Sequence, residues 1–381
     1  MTEHKDQNGE LRGFANLQIL IILTYTFRAV MANYEQHGFR LFEEVSNFIE
    51  SRVYHDKKNY FTLVGMFLLI LFPIMSFAIE KLATTGFNRV ILYFLIVSNM
   101  LLLLIYPIFV SFQVESPPLL AMYMTMVSTA LLLKLISFHH VYHDNRILKR
   151  RFDKLGKTKD GADFNLFNLP KEVYEEAIKY PNNLTLSHFV SYLISPTCCY
   201  QLIYPRWGKR RISFILIRLI EFILANVGIV YLYYQYIIPV CQESTVHFKE
   251  HNYFMVLQNT LKISIPAAYL WLLFFYSFFH SYLNFFAELT QFGDRRFYED
   301  WWNAKNLQEY WRKWNHPIHN FLIRHIYYTF RRRKISKSLC LLLTFLISAA
   351  AHEYLIIGVF RVCNMIAFTI MIINVPLMIL Q

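Results

Sequence analysis

His352 is followed at once by Glu353, and both lie in an otherwise apolar run, SLCLLLTFLISAAAHEYLIIGVF, from Ser338 to Phe360. Arg331, Arg332, Arg333, Lys334 and Lys337 flank it on one side and Arg361 on the other. The run is long enough to cross a membrane, for which about 20 apolar residues suffice. An ionisable pair inside a span is costly, and such residues face protein or water and mark functional sites. The alternative is a structural polar group bonded to a neighbouring helix. A neutral histidine in a protected cavity is suited to general base catalysis, because low dielectric disfavours its cation.

A second polar pattern lies upstream in HSYLNFFAELTQ. His280, Asn284 and Glu288 recur every fourth residue, which lines one face of an α-helix, and Gln291 follows. Such a stripe on an apolar helix implies either a cavity or an interhelical hydrogen-bond ladder. Beyond it come FYEDWWN (Phe297 to Asn303), Trp311 and Trp314, amphipathic aromatics suited to a membrane surface. WNHPIH then leads into FLIRHIYYTFRRRK, which mixes apolar and basic residues as an interfacial helix does. Its arginines also suit a phosphate-bearing ligand.

These residues need a membrane scaffold. The chain has 381 residues, 55% hydrophobic, 18% aromatic and 17% charged, the balance of a polytopic all-α membrane protein. Apolar segments at 14–32, 60–79, 89–112, 118–137, 212–239, 254–287, 338–360 and 362–380 predict about eight transmembrane helices, with interfacial helices around a buried catalytic chamber. Pro73, Pro107 and Pro266 fall inside spans and are expected to kink them. Residues 1–13 form a polar N-terminal segment, neither signal nor transit peptide, and 14–381 one membrane domain. Two polar stretches, 138–211 and 290–337, hold most of the basic residues. The positive-inside rule puts them and the N-terminus in the cytosol. The Asn183-Leu184-Thr185 sequon then faces the cytosol and stays bare.

Other chemistry is excluded. The net charge of +12 reads as orientation and an anionic ligand, not nucleic acid. HEYLI lacks the second histidine of a zinc-protease motif. His139, His140 and His143 sit in a loop without carboxylate support, so no metal is expected. The five cysteines show neither a disulfide framework nor a zinc spacing. No P-loop, G-x-S-x-G or dinucleotide fingerprint is present, and no cofactor is called for.

FYEDWWN resembles the FYxDWWN signature of membrane-bound O-acyltransferases. With FFHSYLNFFAELTQFGDRRFYEDWWN, WNHPIHNFLIRHIYY, SAAAHEYLI, NLTLSHFVSYLISPTCCYQLIYPR and GFANLQ, the chain is similar over nearly its whole length to the branch that esterifies diacylglycerol. WNxPxH and RHxY favour that branch over the sterol enzymes. The resemblance implies that His352 is the catalytic histidine, Asn315 its paired asparagine and Glu353 the adjoining acid. It implies that Phe297, Tyr298, Asp300, Trp301, Trp302 and Asn303 help bind acyl-CoA. His280, Asn284, Glu288, Gln291, Arg324, Tyr327 and Lys337 join the expected substrate-binding set. The implied substrates are long-chain acyl-CoA and diacylglycerol, in the endoplasmic reticulum membrane, by a homodimer formed through the N-terminal region. The family chain continues past Gln381 with a further helix and an active-site glutamine, so the C-terminus is expected to be truncated.

Three alternatives stay open on the residues alone. The same chemistry could act on a sterol or fatty alcohol. The His280–Glu288 stripe could line an ion path in a transporter, or the chain could be an inactive lipid-binding scaffold.

Overall fold

Side-chain caps set where several helices begin. Asn88 accepts a hydrogen bond from Val90 N at 2.9 Å, Asn252 from Met255 N at 3.3 Å and Ser336 from Leu339 N at 3.3 Å. Each satisfies an N–H that the helix start leaves without an intrahelical partner. A computed structural model of the chain describes residues 57–155 and 170–380. Of the N-terminal stretch it describes residues 20, 23, 24, 26–28, 30–35 and 38. The expected N-terminal segment 1–13 lies outside the described residues, as does much of the 14–32 span.

The helices in chain order are α1 (Lys57–Leu68), α2 (Leu71–Thr84), α3 (Arg89–Val114), α4 (Pro118–Leu155), α5 (Lys171–Ile178) and α6 (Leu186–Ile194). Then come α7 (Ile212–Leu232), α8 (Ile238–Lys249), α9 (Tyr253–Phe275) and α10 (Leu283–Leu289). The last are α11 (Leu307–Trp314), α12 (His316–Phe321), α13 (Tyr328–Arg332), α14 (Lys337–Phe360) and α15 (Ile366–Leu380). Wider π turns interrupt them at Tyr233–Ile237, Tyr276–Tyr282 and Leu322–Tyr327. Among the described residues the only β pairing is an isolated bridge between Arg206 and Phe292.

The fold is all-α, with six helical spans among the described residues long and apolar enough to cross a membrane. The expected last span is shorter, Ile366–Met378. Arg361 and Met365 take left-handed backbone angles, φ 58° and 59°, so a turn uses up its first residues. Pro73 lies inside the span Tyr60–Thr84, whose helix is interrupted four residues earlier. It sits in the first turn of α2, after a break at Leu69–Ile70, where its missing N–H costs nothing. The polar stretch from 138 does not begin as a loop. The span Pro118–Asp153 is one helix of 36 residues, about 54 Å at the α-helical rise, longer than the roughly 30 Å hydrocarbon core. Its polar end must project beyond the hydrocarbon, and it carries His139, His140 and His143.

The chain forms two compact units. One holds Met1–Arg52 and Phe222–Ser277, the other Val53–Glu221 and Phe278–Gln381. In the first, α8 and α9 pack as a hairpin, and Gln235 Nε2 donates to Asn33 Oδ1 at 2.7 Å and Gly38 O at 2.9 Å. In the second, α3 and α4 pack together, and α14 lies against both. The core there is apolar and aromatic, with Leu103, Met124, Leu135, Phe138, Tyr142 and Tyr192 fully buried.

The approach of α14 to α4 depends on one glycine. Ser111 Oγ donates to Gly358 O at 2.6 Å, and a Cβ at Gly358 would lie 2.2 Å from Thr125 Cγ2. Tyr354 OH donates to Leu104 O at 3.0 Å one turn away. Gly358→Ala is therefore expected to destabilise the second unit by about 1–3 kcal/mol, the usual cost of overpacking. A lowered melting temperature in detergent checks it. Thr125→Ser, which removes the clashing methyl, should restore most of the loss.

Candidate active site

The histidine of α14 has a defined tautomer. His352 Nδ1 lies 2.7 Å from Ser348 O one turn earlier. A carbonyl can only accept, so Nδ1 carries a hydrogen, and in the neutral ring Nε2 keeps its lone pair. Among the described residues nothing bonds Nε2. The ring is exposed on the helix surface, not enclosed in the expected buried chamber. Elsewhere on the same helix Cys340, Ala349, Glu353 and Gly358 are buried.

Glu353, the expected catalytic acid, is engaged with the next helix. Its carboxylate is 4% exposed and accepts from Met365 N at 2.8 Å and Phe368 N at 3.2 Å. Both oxygens thus cap the start of α15, where a negative charge also meets the helix dipole. The carboxylate sets where α15 folds back on α14.

Asn315 joins two helices. It ends α11 and caps α12, its Oδ1 accepting from Ile318 N at 3.1 Å. The amide NH₂ remains as a donor. No hydrogen bond joins Asn315 to His352 among the described residues. Their elements are linked by packing: α12 runs on into the Leu322–Tyr327 π turn, which lies against α14, while α11 lies against α15.

FYEDWWN forms a bracket around α11. Glu299 N donates to Lys313 O and His316 N to Phe297 O, each at 2.9 Å. Lys313 bridges Asp300 and Glu309, both at 2.8 Å. These ion pairs hold the Asp300 and Glu309 carboxyls below their ordinary range and raise Lys313. Trp301 meets Trp314 edge-on at 5.6 Å, and Phe297 is buried. Trp302 and Asn303 are exposed. The signature thus places Asn315 first, and its exposed members are Glu299, Asp300, Trp302 and Asn303.

The expected polar stripe is not one surface. His280 lies in the Tyr276–Tyr282 π turn, whose wider pitch breaks the fourfold spacing. It shares a 2.8 Å hydrogen bond with Tyr298 OH. Asn284 Nδ2 donates back to His280 O at 2.8 Å. Glu288 is buried and bound by Arg211 (Nη2 at 3.0 Å) and Arg295 (Nη1 at 2.6 Å). Gln291 Nε2 donates to Gly208 O at 2.8 Å. These partners tie the signature loop to residues 205–211, and Gly293 is part of that seam: a Cβ there would lie 2.8 Å from Pro205 O. Asn284, Glu288 and Gln291 are framework. Asn284 and Gln291 each donate one hydrogen bond within the protein and Glu288 is paired with two arginines.

The basic cluster divides in two. Arg324 donates to Tyr200 O at 3.2 Å and Arg331 to Ile335 O at 2.6 Å. Arg332, Arg333, Lys334 and Lys337 are exposed. Tyr327 is half-buried.

Sequence reasoning passed over a buried polar layer on α4. Glu80 binds His139 at 2.7 Å and also Arg146. Lys134 donates to Tyr192 O at 3.0 Å and Ser195 O at 2.7 Å. His140 meets His325, and Ser137 meets both His325 and Tyr200 N. The signal lay in reading 138–155 as a helix: Lys134, Ser137, His140 and Asp144 then share one face.

If Glu353 is a cap, its amide should replace it in part. Glu353→Gln is expected to lower the melting temperature modestly, and Glu353→Ala by the loss of a cap, about 1–2 kcal/mol. Thermal unfolding of the two variants beside wild type measures the order.

Comparison with known proteins agrees with this architecture. The membrane-bound O-acyltransferase family (MBOAT) matches residues 92–380. Diacylglycerol O-acyltransferase 1 of Corylus americana is 32% identical over 372 residues, covering 97% of this chain and 65% of the relative. Diacylglycerol O-acyltransferase 1-2 of Oryza sativa subsp. japonica is 33% identical, with 97% and 73% covered. Diacylglycerol O-acyltransferase 1 of Bos taurus is 33% identical, with 96% and 73% covered. The chain spans about two thirds of the length of these relatives. It belongs to the membrane-bound O-acyltransferase family.

Proposed function

We propose that the chain is an acyl-CoA-dependent O-acyltransferase that esterifies diacylglycerol to triacylglycerol, with His352 as general base. The observation that carries this reading is the His352 Nδ1 hydrogen bond to Ser348 O, which leaves Nε2 as a free acceptor on an exposed membrane-helix face. The relatives' names supply the substrates.

The steps balance on these atoms. Nε2 takes the proton from the free hydroxyl of diacylglycerol as its oxygen attacks the thioester carbonyl. The Asn315 NH₂ donates to the oxyanion, a neutral donor where charge develops. The tetrahedral intermediate collapses, the carbon–sulfur bond breaks, and the CoA thiolate takes the proton from Nε2. The ring returns neutral, and no covalent enzyme intermediate is needed. Two of the cysteines favour that direct route. Cys198 and Cys199 are buried, and burial raises both thiols, Cys199 to about 11, away from the thiolate a nucleophile needs.

The reaction is assigned to the endoplasmic reticulum membrane, in a homodimer with its N-terminus in the cytosol. Acyl-CoA enters from the cytosolic side, where its phosphates meet Arg332, Arg333, Lys334 and Lys337. Neutralising those four should raise KM for acyl-CoA severalfold and leave KM for diacylglycerol unchanged. An effect on membrane insertion alone would return them to an orienting role.

The decisive test offers labelled oleoyl-CoA with diacylglycerol, a sterol and a fatty alcohol together. Wild type should label triacylglycerol. His352→Ala should lose about 10²–10⁴-fold, the size of a general-base contribution, while remaining folded. More than about a tenth of the activity remaining excludes that role.

A further inference from the structure

His140 of α4 and His325 of the Leu322–Tyr327 π turn form a histidine pair outside the assigned chemistry. Their Nδ1 atoms are 2.9 Å apart. A hydrogen bond between two such atoms needs one N–H and one lone pair. The other ring nitrogen of His325, Nε2, lies 2.7 Å from Ser137 Oγ, and that oxygen accepts from Tyr200 N at 2.7 Å. His325 is therefore bonded to α4 twice, three residues apart. It is 5% exposed. Burial and the neighbouring Arg324 hold its imidazole down at about 3, which favours the neutral ring.

What the pair fixes follows from chain connectivity. α12, the π turn and α13 follow one another without a break from His316 to Arg332, and Asn315 caps the start of that rod. Leu133 and Ile136 of α4 and Ile318, Leu322 and Ile326 of the rod all pack against one buried cluster of Phe321, Cys198 and Cys199. Apolar contacts of this kind tolerate sliding, whereas a directional polar network specifies one arrangement. The other half of α4 holds the helix of His352, through Thr125 against Gly358. α4 is thus the common base of both candidate catalytic residues.

We propose that His140 and His325 are positioning residues for the acyl transfer: their Nδ1–Nδ1 hydrogen bond sets the register of the 316–332 rod on α4, and so the place of Asn315 relative to His352. This rests on the transferase reading above. The charged and titratable groups around the pair are His143 and Asp144 on α4, Arg324 on the π turn and Arg332 on α13.

Steady-state kinetics of purified full-length protein in nanodiscs test it, with oleoyl-CoA and diacylglycerol. His140→Leu should lower kcat about tenfold or more, since displacement of a catalytic group by about 1 Å can cost 10²-fold. KM for oleoyl-CoA should stay within about twofold. His140→Asn, whose amide offers either a donor or an acceptor near the Nδ1 position, should recover most of kcat. Ser137→Ala, a smaller change, should lower kcat in the same direction if His140→Leu does not fold. Wild-type kcat in both His140→Leu and Ser137→Ala overturns the proposal, as does an equal loss in His140→Leu and His140→Asn. A double-mutant cycle on melting temperature with His140→Leu and His325→Leu reads the bond without activity. If wild type makes no ester yet the cycle shows coupling, the transferase reading fails and the bond stands. If the two changes are additive, the bond itself fails.

Discussion

A polar side chain carried into the membrane must find its partner inside the protein, because hydrocarbon offers none. Much of this structure follows from that constraint. Asn99 of α3 donates to Ser76 Oγ of α2 at 2.9 Å, and Ser128 of α4 donates to Leu103 O at 2.8 Å. Glu353 accepts two backbone amides of the next helix. Each bond joins elements that apolar packing alone would leave free to shift. His352 differs in being exposed on its membrane helix, with one nitrogen bonded within that helix and no bond to the other among the described residues, and the chemistry is proposed for it.

The site is built by indirection. His352 sits on a helix held by Gly358 and Tyr354, and Asn315 sits where two short helices meet. The aromatic signature contributes mainly backbone bonds and ion pairs that fix that junction. Residues beside the chemistry in sequence, such as Glu353, serve the frame. Residues distant in sequence, such as Ser111 and Thr125, set the helix that carries the histidine.

Much of the fold was legible in the sequence, since long apolar runs leave a chain few choices. The spans at 89–112 and 338–360 needed only small changes at their ends. The misreadings have physical causes. Polar residues after 137 look like a loop, yet the helix continues because its buried polar groups pair with Glu80, His325 and the 192–200 segment. The stripe from His280 to Glu288 assumed an α pitch, and a π turn breaks it. Glu353 caps the next helix, a contact that adjacency in sequence cannot show. His352 was marked as a candidate by the cost of an ionisable group in a span and by resemblance, and Asn315 by resemblance. The tautomer that suits His352 to its task needed coordinates.

The most direct test of direct, histidine-assisted transfer follows the acyl group itself. Purified protein is mixed with labelled oleoyl-CoA alone, diacylglycerol is then added, and protein and lipids are read by mass spectrometry. The account predicts no acylated protein before the acceptor arrives, labelled triacylglycerol after it, and almost none with His352→Ala. A covalent acyl adduct that decays into product, or triacylglycerol formed at the wild-type rate without His352, would contradict it.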